Sequence, residues 1–141
     1  MSKETTIGGR YVRYESIGEG GMGTVYRGVD TLSGDAVAIK SLKKNIADAN
    51  QINIERFARE GEALRHLNHP NIVKVLDTFE ADQQHYIIME YVSGGSLRDV
   101  LHTERELPVD EVLEIALDLS DALTRAHRLK IIHRDIKPPM Y

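Results

Sequence analysis

The chain has 141 residues, 41% of them hydrophobic and 28% charged, with a net charge of −4. This is a soluble globular composition, and its acid balance argues against a nucleic-acid binder, which would carry a basic face. No apolar run approaches the roughly 18 residues a bilayer span needs, the start MSKETTIGG lacks a signal-peptide core, and the absence of cysteine excludes disulfides and cysteine-ligated zinc, so the expected address is cytoplasmic.

Residues 1–9 are polar and end in glycine, and they read as a loose tail. Two β-rich segments follow, Tyr11 to Ile17 and Thr24 to Asp30, with the cluster GEGGMG between them. TLSGD is turn chemistry, and AVAIKSL (36–42) reads as a buried strand. From about Ile52 to Leu67 the apolar residues Ile54, Phe57, Ala58, Gly61 and Leu64 recur at helical spacing. NHPN ends that helix, since Pro70 disfavours helical backbone in the residue before it.

Two further strands, 72–79 and 85–92, are joined by a polar turn. SGGSLRDVLH is a Gly-rich link into a short helix, with Ser96 and Asp99 placed as a capping pair. A longer helix, about Val109 to Leu129, carries Val112, Ile115, Ala116, Leu119, Ala122, Leu123 and Ala126 at helical spacing. The whole is an α+β chain, with five strands interrupted by one helix and then helices.

Gly18, Gly20 and Gly23 form G-x-G-x-x-G, followed by Val25. Alone, the pattern is as readily a turn of no chemical consequence as a ligand loop. A dinucleotide-binding loop should run straight into a helix, whereas TVYRGVD continues as strand. The better functional reading is a hairpin folded over a ligand, where missing side chains let backbone N–H groups approach phosphate oxygens. No G-K-[S/T] follows, which removes a Walker loop.

Lys40 ends the apolar run Ala36-Val37-Ala38-Ile39, where an ammonium is costly unless it is paired or bound. A strand-end lysine reaching into solvent would be the simpler reading if it stood alone. Glu60, three residues after Phe57 and four before Leu64, is expected on the inward face of the helix and hence as the partner of Lys40. Gly61 in mid-helix costs about 1 kcal/mol against alanine, and a close contact would account for it.

With GEGGMGTV, VAIK, Glu60 ten residues before Pro70, MEYVSGG and HRDIK in this order, the chain resembles the eukaryotic-type protein kinases, and among them the bacterial Ser/Thr kinases. The resemblance covers about residues 10 to 139. It implies a kinase N-lobe with a five-stranded antiparallel sheet and one helix, followed by the first helices of an incomplete C-lobe. In domain terms these are a flexible tail (1–9), an N-lobe with hinge (10–92) and a partial C-lobe (93–141).

The resemblance implies ATP as cofactor, its phosphates covered by Gly18, Gly20 and Gly23 and held by Lys40 paired with Glu60. Val25 and Ala38 would sandwich the adenine from above, Met89 would guard the back pocket, and backbone groups of Glu90 and Val92 would meet the adenine edge. Asp135 would orient the substrate hydroxyl, and Lys137 would neutralise the transferred phosphoryl group. The D-x-K spacing is similar to that of Ser/Thr rather than tyrosine kinases. His133 would pack under the site, Arg134 would answer an activation-loop phosphate, and the other histidines are expected at the surface or in packing.

Where the family places an Asn ligand for Mg²⁺, this sequence has Met140, a poor ligand for a hard cation. Mg²⁺ is therefore expected for the family while no protein metal site is expected in these 141 residues. The sequence reads as a kinase cut within its catalytic loop and inactive by itself, with a protein substrate only in the longer family members. The alternative is a non-catalytic nucleotide-binding or regulatory fragment that associates through an exposed helix 109–129. No nucleic-acid partner and no membrane segment are expected.

Overall fold

The structure is a computed structural model that describes residues 4–19, 23–42 and 51–131, the side chains of 51–53 excepted. Its described residues divide into two units, one running to His66 and resuming over Lys74–Tyr91, the other made of Leu67–Val73 and the chain from Val92 onward.

The first unit is built on strands β1 (Thr5–Ile7), β2 (Tyr11–Glu19), β3 (Gly23–Asp30), β4 (Ala36–Leu42), β5 (Val75–Ala81) and β6 (Gln84–Glu90), with helix α1 (Gln51–Arg65) between β4 and β5. All neighbours pair antiparallel, in the order β1-β2-β3-β4-β6-β5. The expected α+β plan is present, with six strands where five were expected.

The added strand is β1, in the stretch expected to be a loose tail. Ile7 is its anchor, only 3% exposed in a cluster with Tyr11, Val37, Ile39 and Ile88. The turn that returns β1 to β2 uses Gly8 and Gly9 at φ 59° and 70°, backbone that glycine adopts without a Cβ penalty. The strand expected at 72–79 begins later, at Val75, because Asn71 and Ile72 hydrogen-bond back to His69 instead of joining the ladder. The β5–β6 turn is tight, with both Asp82 and Gln83 at positive φ, the backbone twist that suits a two-residue hairpin.

Period-two alternation divides the sheet's apolar residues between its two faces. One face carries the cluster of Ile7, Tyr11, Val37, Ile39 and Ile88, capped by Phe79 stacked on Tyr11 at 5.6 Å between ring centroids. The other carries Leu42, Val75 and Ile87, covered by Phe57 of α1. Gly61 has its reason here. A Cβ at that position would lie 3.0 Å from Ile87 Cδ1 and Thr78 Cγ2, so glycine lets α1 approach β5 and β6.

At the far end of β3, Asp30 is buried and takes a two-pronged ion pair from Arg10, Nε to Oδ1 at 2.9 Å and Nη2 to Oδ2 at 2.8 Å. The Arg10 hydrogen bonds, reinforced by the Leu32 N–H, hold the Asp30 carboxyl well below the usual carboxylate range. A depressed folded-state pKa adds stability above the unfolded value, about 3.9, and that stability disappears as pH falls through the folded value. Chemical denaturation between pH 6 and pH 2.5 should therefore show falling stability below about pH 4. Asp30→Asn should be less stable near neutrality and should show a shallower acid loss. An unchanged acid slope in the variant would remove Asp30 from this role.

The second unit contains α2 (Leu97–Glu104) and α3 (Val109–Arg128). The capping pair forms as expected: Ser96 Oγ accepts from the Asp99 N–H, and Asp99 Oδ2 accepts from the Ser96 N–H at 2.7 Å. The segment Leu67–Val73 fastens to α3. His69 Nδ1 accepts from the Asn71 N–H at 3.0 Å, which leaves Nε2 to face Asp121 Oδ2 at 3.0 Å. Asn71 Nδ2 donates to the Asp118 carbonyl at 3.2 Å.

Candidate functional site

Residues paired across an antiparallel ladder share a face, so the register states which side chains stand together. One row across the first unit runs Gly18, Val25, Lys40, Ile87, Thr78. The next runs Arg27, Ala38, Met89, Val75. Val25, Ala38, Lys40 and Met89 are thus neighbours on one surface. Alternation in HYIIMEY could have added Ile87, which shares Met89's face and stands between Lys40 and the helix.

The first row changes character along its length. At its Thr78 and Ile87 end it is covered by α1 through Gly61 and Phe57. Lys40 stands where the cover ends, half-buried, with Nζ 5.9 Å from the centroid of the Phe57 ring, a distance at which the ring face attracts the cation. At the other end a Cβ built on Gly18 meets nothing within 4 Å among the described residues, and Gly18 has no positive φ. Among the described residues, neither packing nor backbone conformation asks for glycine at 18. Gly23 differs, because a Cβ there would run into the Ser41 carbonyl of β4, so its glycine serves the sheet.

The expected Lys40–Glu60 ion pair is not formed. Among the described residues no salt bridge joins them, and Glu60 is exposed on α1. The reason is angular: at about 100° per residue, Glu60 lies about 60° from Phe57 on the side away from Gly61, at the flank of the buried stripe. The Glu90 N–H donates to the Lys74 carbonyl at 3.0 Å, so of its two backbone groups only the carbonyl is left to offer to a ligand. Val92 is exposed and belongs to the second unit. Gly20, Asp135 and Lys137, with His133, Arg134 and Met140, lie outside the described residues. Among the described residues no cluster of His, Asp or Glu could hold a metal ion.

Sequence reasoning missed the base of the glycine hairpin. Between Arg13 and Ser16, β2 advances three residues while β3 retreats two, from Gly28 to Tyr26, so Tyr14 and Glu15 together face Arg27. This is a β-bulge, which bends and twists the strand. A second shift lies between Ser16 and Gly18. No residue type in YVRYESIGE announces either one.

Two paired strands flanking a glycine cluster, a lysine on the adjoining strand and a helix behind it now have a match. Residues 11–139 match the protein kinase domain family. The chain belongs to that family. It is 45% identical over 130 residues to the probable serine/threonine-protein kinase PknB of Lactococcus lactis, covering 92% of this chain and 21% of that protein. Among solved structures it is similar to the kinase domain of Mycobacterium tuberculosis PknI, with a TM-score of 0.81 and 33% identity, covering 99% of this chain and 56% of that one. It is also similar to Rad53 1-466 in complex with AMP-PNP, with a TM-score of 0.77 and 32% identity over 89% of this chain and 32% of that one. The chain spans about a fifth of the length of the curated serine/threonine kinases it matches. No helix among the described residues is long and apolar enough to cross a membrane.

Proposed function

We propose that this chain is the nucleotide-holding part of a serine/threonine protein kinase, and that its 141 residues by themselves bind ATP without transferring its phosphate at a useful rate. The observation that carries the reading is the single row in which an unexplained glycine, Gly18, and a half-buried lysine, Lys40, flank Val25. Val25, Ala38 and Met89 form an apolar surface for a flat heterocycle, and Lys40 stands one row beyond Ala38 and Met89, where the phosphates would lie. The Rad53 structure with AMP-PNP supports the choice of nucleotide. Mg²⁺, when bound, would supply charge neutralisation at the phosphates, but no cluster of His, Asp or Glu among the described residues could hold it, and a thioether at position 140 does not suit it. In this reading Asp135 and Lys137 orient the hydroxyl and neutralise the moving phosphoryl group, and the protein acts in the cytoplasm.

A fluorescent ATP analogue titrated into the chain should bind, and Lys40→Met should weaken binding by at least about tenfold, because a hydrogen bond to a charged group is worth roughly 1.5–3 kcal/mol. Equal affinities would show that Lys40 does not hold the phosphates.

One observation favours a second reading, association through α3. Leu113 and Leu117 are 58% and 70% exposed, and Val112, Ile115 and Leu119 are exposed beside them. A patch of this kind promotes association. Light scattering should show concentration-dependent growth in mass that Leu113→Glu with Leu117→Glu reduces. A stable monomer with a sharp thermal transition would exclude this reading.

A further inference from the structure

We propose that Arg27 is a positioning residue for the glycine hairpin, clamping the β2 bulge and so setting the angle at which the pairs Gly18–Val25 and Glu19–Thr24 stand to the rest of the sheet. The proposal rests on the nucleotide reading above. Arg27 is the one residue of β3 that faces the two bulge residues, and its side chain engages both. Its Nε donates to Glu15 Oε1 at 2.6 Å, its Nη2 donates to Glu15 Oε2 at 3.1 Å, and its guanidinium lies 4.7 Å from the centroid of the Tyr14 ring. A fork on a carboxylate and a stack on a ring leave the group little freedom.

The clamp sits at a mechanically sensitive place. A bulge is where a strand bends and its twist increases, and two shifts in succession separate Arg13 from Gly18. A change of angle at the bulge is carried outward to the hairpin tip, where Gly18 pairs with Val25 and Glu19 with Thr24. Arg27 projects from the same face as Ala38 and Lys40, so the clamp closes on the side the ligand would occupy. The opposite face has its own fastening, Arg13 stacked 4.3 Å from the centroid of the Tyr26 ring, and Tyr26 packs on the core. The Arg27 hydrogen bond also holds the Glu15 carboxyl below its ordinary range.

The test compares ATP with adenosine, which lacks the phosphates the hairpin would cover, on the full chain and on Arg27→Ala, Arg27→Lys, Glu15→Ala and the Arg27→Ala/Glu15→Ala double variant. Hydrogen exchange of the β2–β3 amides is followed alongside. Each single variant should weaken ATP by roughly threefold, the scale of a well-formed surface pair, with adenosine unchanged and the double variant no worse than either. Arg27→Lys should behave like Arg27→Ala, because an ammonium cannot fork or stack in this way. Exchange should quicken in β2 and β3 and stay unchanged in β6.

Parallel loss of ATP and adenosine, or unchanged exchange in the hairpin, would overturn the proposal. Tighter ATP binding by Glu15→Ala would also overturn it, showing that Arg27 touches the phosphates itself. A parent chain that binds neither ligand would overturn the nucleotide reading and this proposal with it. A parent that binds both, with variants that bind alike, would overturn this proposal only.

Discussion

Gly28→Ala is expected to destabilise the chain by about 3 kcal/mol, at the upper end of what overpacking costs, while Gly18→Ala leaves stability within about 0.5 kcal/mol. A Cβ at Gly28 would lie 2.6 Å from the Val12 carbonyl oxygen and 2.6 Å from Ile39 Cδ1. The first is backbone of the neighbouring strand, and the second belongs to a fully buried side chain. Neither can yield without opening the β2–β3 pairing or displacing the core. At Gly18 the added methyl meets nothing within 4 Å among the described residues. Its cost should appear in nucleotide affinity, which should fall several-fold as the methyl enters the space a phosphate needs. Thermal melting and ATP titration of the two variants separate the cases. A Gly18→Ala chain that binds ATP as the parent does would leave that glycine without a ligand role.

The other large effect concerns transfer. The 141 residues alone should move labelled γ-phosphate to a generic protein substrate no faster than background, and Met140→Asn should not change this. Phosphoryl transfer is catalysed by positioning and by neutralising charge. A single restored amide gives the hydroxyl nothing to be held by, and proximity supplies much of the rate. Continuing the chain after Pro139 with the rest of a kinase domain from a close relative should restore turnover. Asp135→Asn in that extended protein should then lower it by about 10²–10⁴-fold, the range for loss of a general base. Robust turnover by residues 1–141 alone, abolished by Asp135→Asn, would refute the reading.

Much of this was legible because the informative residues are constrained twice. AVAIKSL had both a β-branched composition and a turn before it, and its predicted limits coincide with β4. Alternation alone put Ala38 and Lys40 on one face of their strand, and the register added Val25 and Met89 to it. Three things lay beyond reach. β1 is three residues with one buried side chain, too short for any periodicity to register. The bulges depend on how many residues of β2 oppose β3, which pairing decides and residue type does not. Glu60 failed because standing three residues after Phe57 and four before Leu64 still leaves it at the flank of the stripe, about 60° from Phe57. Gly61, close against Ile87, shows that the centre lies on the other side.

The strand order has a consequence for how the chain finds its shape. β1 to β4 are neighbours in sequence and in the sheet, each joined to the next by a connection of a few residues. β6 reaches β4 only after the chain has closed a loop from Leu42 to Gln84. Loop-closure entropy grows with the logarithm of length, so a loop of about forty residues costs about 2 kcal/mol more to close than one of about five. Nothing repays that cost until α1 and β5, both inside the loop, pack as it closes. The four-strand meander is therefore the cheap part of the assembly, and Lys40 receives its neighbour Ile87 only when the expensive part is complete.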